Sequence, residues 1–295
     1  MYHRFSDKNE PFKIRNSVFE NQLKFLLKNY NFISLSQYSR HLVGSGESLP
    51  QNPVILTFDD GYLDNYLFAY PIIKKYSIPA TIFLTTDFIN HKAWLWSNKL
   101  EYILRNAKTK EFKFQLGEDI SIFKVGNFSE WHKTQLKIFN YLRLLPELEK
   151  NRIISNLAEL LKVDVPEQTQ TDFMPLNWEQ IREMSKNNLE FGSHTCSHPI
   201  LSRLTLSELE YEIIRSKQEI ENKLQNEIFS FAYPNGTFED FNSDTISFLK
   251  NNLYKCAVTT IPGQNYLKTV DPFRLKRIST DIGDHKNLSV KLGRP

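Results

Sequence analysis

The sequence predicts an α/β protein built on a parallel sheet. Short apolar segments of strand character alternate with stretches of helical spacing, both before residue 90 and after residue 177. This alternation is typical of parallel strands joined by crossover helices. The 295 residues are enough for one large α/β domain or two smaller ones. The alternation of strands and helices and the length of the chain together favour a barrel-like or doubly wound fold.

The first part of the pattern contains two helices and three strands. In order, these are a helix over 17–30, the strand-like "FISLSQY" at 32–38, a strand at 53–58, a helix over 64–76 and the strand "ATIFLTT" at 80–86. The first helix places Phe19, Leu23 and Leu26 on one face. Tyr66 and Tyr70 share a face of the second helix in the same way.

Residues 92–176 break this rhythm and are interpreted as a mixed α/β insertion within a single domain that spans 1–295. The insertion is predicted to contain a helix over 100–108, a hairpin over 111–125 that turns near Gly117, and helices over 129–144 and 146–162. The α/β pattern then resumes with helices over 178–187, 205–224 and 238–251 and strands at 189–195, 228–234, 255–260 and 274–279.

Composition excludes several classes of function. A formal net charge of +3 without a basic stripe gives no support for nucleic-acid binding. Only two cysteines are present, so no disulfide framework is implied. No apolar run is long enough to span a membrane, and the first fifteen residues lack the apolar region of a signal peptide. The expected location is therefore the cytoplasm, or the periplasm or exterior if a leader has been removed.

The stretch "VILTFDDGY" at 54–62 ends a buried strand in two adjacent carboxylates, Asp59 and Asp60. Neighbouring buried carboxylates repel each other and are costly unless something compensates their charge. One interpretation is a solvated turn with Asp as a helix cap. The other is a bound cation, which requires further ligands elsewhere in the chain.

The stretch "FGSHTCSHP" at 191–199 offers those ligands in His194 and His198, again directly after a strand. Neutral imidazoles are common metal ligands, and two of them with one carboxylate form a three-ligand site with an open position. Cys196 lies between them and is a competing soft ligand in principle. Its residue type suits structural burial equally well.

Three strand ends in this order, "TFDDGY", "SHTCSHP" and "FAYPNG", resemble the polysaccharide deacetylases of carbohydrate esterase family four, which share the NodB homology domain. The resemblance covers roughly residues 1–90 and 177–280, and the insertion lies outside it. The amino-terminal "YHRF" is most similar to the branch that acts on poly-N-acetylglucosamine. The resemblance implies a distorted (β/α) barrel whose site lies at the carboxyl ends of the strands.

The resemblance also implies different roles for the two aspartates. Asp59 corresponds to the catalytic base, whereas Asp60, His194 and His198 correspond to the ligands of a divalent metal. Zinc is the expected cation, although cobalt and nickel would accept the same donors. A backbone N–H near Asn235 is implied as the oxyanion donor.

The chain departs from the family pattern at two positions. Phe231 stands where many members have an arginine that orients the base, and Asn235 stands where they often have a tyrosine. A backbone role for Asn235 survives the second change because it uses no side chain. For the first, we expect Arg277 rather than Arg274 to pair with Asp59, the alternative being a surface salt bridge.

The general acid is assigned to His3 on the resemblance alone. Many family members carry this histidine near the carboxyl terminus, whereas the poly-N-acetylglucosamine branch is circularly permuted and has "YH" near its start. The assignment requires residues 2–5 to form a strand beside the last strand, with the imidazole across the cleft from Asp59. The alternative is a histidine at a frayed terminus.

The predicted function is metal-dependent removal of the N-acetyl group from an N-acetylated amino sugar, in a surface glycan or in its lipid-linked or nucleotide-linked precursor. Tyr233 and the insertion residues Trp94 and Trp96 are expected to contact the substrate. The alternative for the tryptophans is a satellite hydrophobic core. The alternatives for the function are O-deacetylation and a non-catalytic carbohydrate-binding relative.

Overall fold

The computed structural model describes residues 1–280, Leu288 and Leu292, with the backbone alone at Thr171. Its strands in chain order are β1 (Phe5–Ser6), β2 (Ile14–Arg15), β3 (Asn31–Phe32), β4 (Pro53–Val54), β5 (Leu56–Phe58), β6 (Ala80–Leu84), β7 (Glu111–Leu116), β8 (Asp119–Lys124), β9 (Leu189–Ser193), β10 (Ser230–Ala232), β11 (Cys256–Pro262) and β12 (Leu275–Arg277). Six of them form a parallel sheet in the order β12-β11-β10-β9-β6-β5. The sheet is a curled half-barrel, so the predicted α/β class and distorted (β/α) barrel are confirmed.

The helices in chain order are α1 (Asn16–Asn29), α2 (Leu35–Leu42), α3 (Tyr70–Lys75), α4 (Thr86–Ile89), α5 (Trp96–Arg105), α6 (Phe128–Leu142), α7 (Glu147–Leu160), α8 (Trp178–Ser185), α9 (Leu206–Glu210), α10 (Ser216–Leu224) and α11 (Ser243–Asn251). A π-helical turn, Asn65–Ala69, leads into α3, and another, Tyr211–Arg215, joins α9 to α10. In the part of the chain described, no helix has both the length and the apolar character needed to cross a bilayer.

The strand predicted over "FISLSQY" is wrong beyond its first residue. Only Asn31–Phe32 is extended, and α2 begins at Leu35. Ser34 and Gln37 form a capping box, in which each side chain bonds the other's backbone N–H. This pair satisfies two N–H groups that would otherwise be unpaired at the helix start, and so it stabilises a helix over a segment of strand-like composition.

The amino-terminal residues fill the gap between the two edge strands of the sheet. Tyr2 forms a parallel bridge with Phe58, and its N–H donates to the Thr57 carbonyl over 3.0 Å. On the other side, the Met1 carbonyl accepts the Thr280 N–H over 3.2 Å. The segment beside β5 is therefore Met1–Tyr2, whereas Phe5–Ser6 pairs with β2 instead. The extended segment beside β5 is therefore shorter than the strand predicted over residues 2–5 and begins one residue earlier.

Residues 92–176 build a hydrophobic core of their own from α5, α6, α7 and the β7–β8 hairpin. The hairpin turns at Gly117, as predicted, where a φ of +64° suits glycine. The buried residues of this core are Trp96, Leu100, Ile103, Leu104, Phe112, Leu116, Phe123, Trp131, Ile138, Leu142, Ile154, Leu157, Leu161 and Val163. At its end, the segment rejoins the barrel through a bridge between Pro175 and Tyr62.

Candidate active site

Side chains from three strand ends converge in a cleft of about 610 Å³ at the carboxyl edge of the sheet. Asp59 and Asp60 follow β5, His194 and His198 follow β9, and Asn235 follows β10. Parallel strands all end on the same side of a sheet, which explains how residues far apart in sequence meet here. The insertion supplies the facing wall of the cleft.

Three of these residues form a cluster that could hold a metal ion. One ligand atom each from Asp60, His194 and His198 lies within 4.8 Å of the others, and all three residues are buried. The Asp60 Oδ1 lies 3.6 Å from the Nε2 of His194 and 3.6 Å from that of His198. Because both histidines present Nε2 to the same carboxylate oxygen, the three donors face one point.

The hydrogen bonding of the cluster fits a cation. The Nδ1 of His194 donates to the Ala232 carbonyl over 2.7 Å, which fixes the tautomer and leaves Nε2 free to ligate. The Asp60 Oδ1 is buried and has no hydrogen-bond partner among the residues that the structure describes. Burial raises the pKa of Asp60 and lowers the pKa of His198. A positive ion would favour an ionised carboxylate beside two neutral imidazoles.

The backbone around this cluster is strained. Asp60 and His198 have φ values of 72° and 63°, and Thr195 between the histidines has a φ of 70°. Non-glycine residues seldom adopt this left-handed region, and such residues concentrate at functional sites. The Thr195 hydroxyl accepts the His198 N–H over 2.9 Å and so helps to hold the turn.

Asp59 is held by Arg277 rather than by the cluster. The two guanidinium nitrogens each donate to one carboxylate oxygen over 2.7 Å, and Asp59 is only 1% exposed. Burial opposes the charge, but the Arg277 guanidinium outweighs it and keeps the pKa of Asp59 far below its usual range. Arg274, the other candidate, is half exposed and approaches Asp271 at 3.8 Å.

Cys196 faces away from the cleft. Its thiol points to the carbonyls of Tyr211 and Glu212 over 3.7 Å each, and its N–H donates to the Glu212 carboxylate over 2.7 Å. Burial raises the pKa of this thiol to about 12, so it stays protonated. Its geometry fits structural burial and not metal ligation.

His3 lies at the rim of the cleft, close to Asp59. Its Nε2 is 3.8 Å from the Asp59 Oδ2, and its side chain is about one-third exposed at 33%. Its carbonyl accepts the Asn65 side-chain N–H over 2.7 Å, which ties the amino-terminal segment to the barrel. The imidazole therefore lies beside Asp59 and not across the cleft from it, and it follows a two-residue bridge and not a four-residue strand.

Asn235 occupies the turn after β10 with a φ of 58° and lines the cleft. Its carbonyl accepts from the Thr260 hydroxyl, and the N–H of Thr260 donates to the Gly236 carbonyl over 2.9 Å. These bonds fix the peptide planes of the turn. A Cβ on Gly236 would lie 2.8 Å from the Thr260 nitrogen, so the turn needs glycine at that position.

Three predicted substrate contacts are corrected by the structure. Tyr233 is fully buried beneath the sheet end, where its hydroxyl donates to the Phe273 carbonyl over 2.8 Å. Trp96 is 4% exposed and stacks on Phe139 in the core of the insertion. Trp94 donates its indole N–H to the Pro166 carbonyl. None of the three lines the cleft, because each aromatic ring is used in packing.

The facing wall of the cleft is made instead by polar residues of the insertion that the sequence did not single out. These are Ser97, Asn98, Glu101, Gln135 and Arg143, together with the ring of Phe139. Arg143 donates to the Thr237 hydroxyl over 2.9 Å and approaches the Asp240 carboxylate at 3.2 Å. None of the motifs recognised in the sequence includes these residues.

Comparison with solved structures supports the fold. The Streptococcus pyogenes deacetylase PplD, solved in complex with acetate, superposes with a TM-score of 0.65 over 99% of this chain and 95% of that one, at 21% identity. At this level of identity the likeness concerns the fold alone.

Sequence comparison identifies the family. The Bacillus subtilis protein YxkH, assigned to the polysaccharide deacetylases, is 24% identical over 264 residues, which cover 89% of this chain and 64% of that protein. A Staphylococcus aureus poly-beta-1,6-N-acetyl-D-glucosamine N-deacetylase is 27% identical over 142 residues, 48% of this chain and 47% of that protein. The chain thus spans less than two-thirds of either relative. The profile of the polysaccharide deacetylase family matches residues 46–257, well over half of the sequence, and the chain therefore belongs to that family.

Proposed function

We propose that this protein is a metal-dependent N-deacetylase that removes the acetyl group from an N-acetylated amino sugar of a surface glycan or its biosynthetic precursor. The observation that carries the proposal is the position of the buried carboxylate of Asp59. It is paired with the Arg277 guanidinium and lies next to the Asp60–His194–His198 cluster without belonging to it. A carbohydrate-binding relative has no need of an unligated base beside a metal cluster.

Asp60, His194 and His198 would hold the cation. Two imidazoles and one carboxylate are typical of catalytic zinc, and we take zinc as the native metal. When bound, it would supply Lewis-acid chemistry that activates water and the acetamide carbonyl. The His194 bond to the Ala232 carbonyl holds one ligand in the tautomer that this role requires.

The remaining residues of the cleft account for the proton transfers. Asp59 takes a proton from the attacking water, whose oxygen adds to the acetyl carbon. The N–H of Asn235 is the proposed donor to the negative oxygen that develops on that carbon. As the C–N bond breaks, His3 gives a proton to the departing nitrogen, and the products are acetate and a free amine.

The relatives favour one substrate class. The Staphylococcus aureus relative is named for poly-beta-1,6-N-acetyl-D-glucosamine, and a linear N-acetylglucosamine polymer or its precursor is the substrate that we assign to this chain. O-deacetylation remains the alternative, because the same base and metal could attack an ester.

The test incubates the zinc-loaded protein with a β-1,6-linked N-acetylglucosamine pentamer and measures acetate and free amine together. The proposal expects equal amounts of both, and Asp59→Asn should lower the rate by about 10²–10⁴-fold while zinc stays bound. The exposed Asp119→Asn is the matched control and should keep the wild-type rate. Acetate released only from O-acetylated glycans would favour the esterase, and full turnover by Asp59→Asn would refute the mechanism.

A further inference from the structure

The wall that the insertion contributes to the cleft contains buried polar atoms without partners. Asn98, on α5, is 3% exposed, and its Nδ2 has no hydrogen-bond acceptor among the described residues. The Oε1 of Gln135, on α6, is also buried and lacks a donor within the same described part of the chain. Both residues line the cleft that contains the metal cluster. A buried unpaired polar group is costly, which is a reason to expect a ligand there.

The orientation of Asn98 is set by Tyr62, the residue two positions after Asp60. The Tyr62 hydroxyl donates to the Asn98 Oδ1 over 2.9 Å. With Oδ1 accepting from Tyr62, the N–H₂ group is the part of the amide that lacks a partner among the described residues.

The two charged residues on this wall, Glu101 and Arg143, are each paired with a residue from outside the insertion. Arg4 approaches the Glu101 carboxylate at 3.1 Å, and Arg143 approaches Asp240 at 3.2 Å. Among the described residues of this wall, the buried side-chain atoms without partners belong to two neutral amides, one offering a donor and one an acceptor. This combination suits the hydroxyl and acetamide groups of an uncharged sugar and does not suit a phosphate or a carboxylate.

We propose that Asn98 and Gln135 form a recognition subsite for a neutral N-acetylhexosamine unit, and that Tyr62 is the positioning residue that aims Asn98 into it. The subsite rests on the proposed function, since it would hold the sugar chain beside the reacting acetamide. A site built to hydrogen-bond its substrate discriminates strongly against analogues that leave its polar groups unpaired.

The test measures binding and turnover of the β-1,6-linked N-acetylglucosamine pentamer. Asn98→Ala should raise both the Kd from calorimetry and the KM by about tenfold or more, while bound zinc is unchanged. Gln135→Ala, at a less buried helix position, should act in the same direction and carries the test if Asn98→Ala fails to fold. Asn140→Ala, an exposed asparagine on α6, is the matched control and should bind like the wild type.

Tyr62→Phe tests the positioning role. It should weaken binding in the presence of Asn98 and have little further effect in the Asn98→Ala background, because the two act on one contact. Additive losses would overturn the role of Tyr62 in positioning Asn98.

The outcomes distinguish a failure of the proposed subsite from a failure of the proposed function. If the wild type releases amine and neither Asn98→Ala nor Gln135→Ala changes Kd or KM, the subsite is refuted and the function stands. If the wild type releases no amine but binds the pentamer, and both variants bind it more weakly, the function fails and the subsite stands. If the wild type does not bind the pentamer, the subsite is refuted.

Discussion

Arg277 and Asp59 lie at opposite edges of the same sheet, at the ends of β12 and β5, and their side chains nevertheless form two parallel hydrogen bonds of 2.7 Å. The contact is possible only because the sheet curls until its edges face each other. The Arg277 Nε also donates to the Thr259 carbonyl over 2.7 Å, which anchors the guanidinium on the neighbouring strand. One ion pair thus orients the proposed base and links the two edges of the half-barrel.

Arg277→Met should destabilise the protein, since it leaves the Asp59 carboxylate buried without its partner. The expected loss is about 3–5 kcal/mol in the free energy of unfolding, measured by denaturant titration at pH 7. Arg274→Met is the matched control, and its exposed pairing with Asp271 should be worth at most about 1 kcal/mol. Equal effects of the two variants would contradict the role given to Arg277.

The same pair predicts a pH dependence. Arg277 lowers the pKa of Asp59 in the folded protein, so the stabilisation is complete above the unfolded pKa of about 3.9. It is lost as the pH falls below that value towards the folded pKa. The difference in unfolding free energy between wild type and Arg277→Met should therefore shrink below about pH 4. A difference that grows on acidification would count against the pairing.

His194→Ala should weaken zinc binding by at least about 10–100-fold, because it removes a ligand and not only a supporting group. The measurement is competition with a chelator of known affinity. Cys196→Ser is the matched control, since its side chain points to the Tyr211 and Glu212 carbonyls. Wild-type affinity in His194→Ala, or lost affinity in Cys196→Ser, would show that the ligand set is wrong.

His3→Ala should lower the rate of amine release by about 10²-fold or more, because the departing nitrogen loses its proton donor. Bound zinc should stay at the wild-type level, which separates this variant from the loss of a ligand. His41→Ala, on α2 away from the cleft, should behave as wild type. A His3→Ala variant with full activity would remove His3 from the mechanism.

Gly192→Ala should destabilise the barrel by about 1–3 kcal/mol through overpacking. A Cβ at this position in β9 would lie 2.6 Å from the Phe83 ring and 2.6 Å from the Ser230 hydroxyl. Gly126→Ala is the control, because its Cβ would lie 3.1 Å from the flexible Glu130 carboxylate and 3.5 Å from the Lys110 side chain, an ordinary contact. Thermal unfolding of the two variants gives the comparison.

The site residues at the strand ends were predictable because charged and polar side chains directly follow buried apolar strands. Two carboxylates or two histidines directly after a buried strand are costly without a partner. The segments "TFDDGY" and "SHTCSHP" can therefore be recognised in the sequence as candidate site segments. The repeat of strand and helix then places those ends on one edge of the sheet. The capping box of Ser34 and Gln37 was missed, because residues 32–38 were interpreted as a strand, although its Ser-x-x-Gln spacing is present in the sequence.

The aromatic contacts were not predictable, since an aromatic residue serves a core as well as it serves a sugar. Tyr233 and Trp96 are buried by neighbours that lie far away in sequence. Asn98 could not be identified either, because its importance arises from a single contact with Tyr62 across the cleft. Such residues carry no local pattern, and only the packing of the insertion against the barrel reveals them.

The contact of Arg143 with Thr237 and Asp240 has a consequence for protein engineering. Asp240 also accepts the Thr237 N–H over 2.7 Å, so one arginine of the insertion braces the same loop that carries Asn235. Transplanting residues 92–176 alone into another member of the family would leave Arg143 without its partners Thr237 and Asp240. The transferable module is the insertion together with the 235–240 loop, and chimaeras that exchange only one of them should lose substrate turnover before they lose their fold.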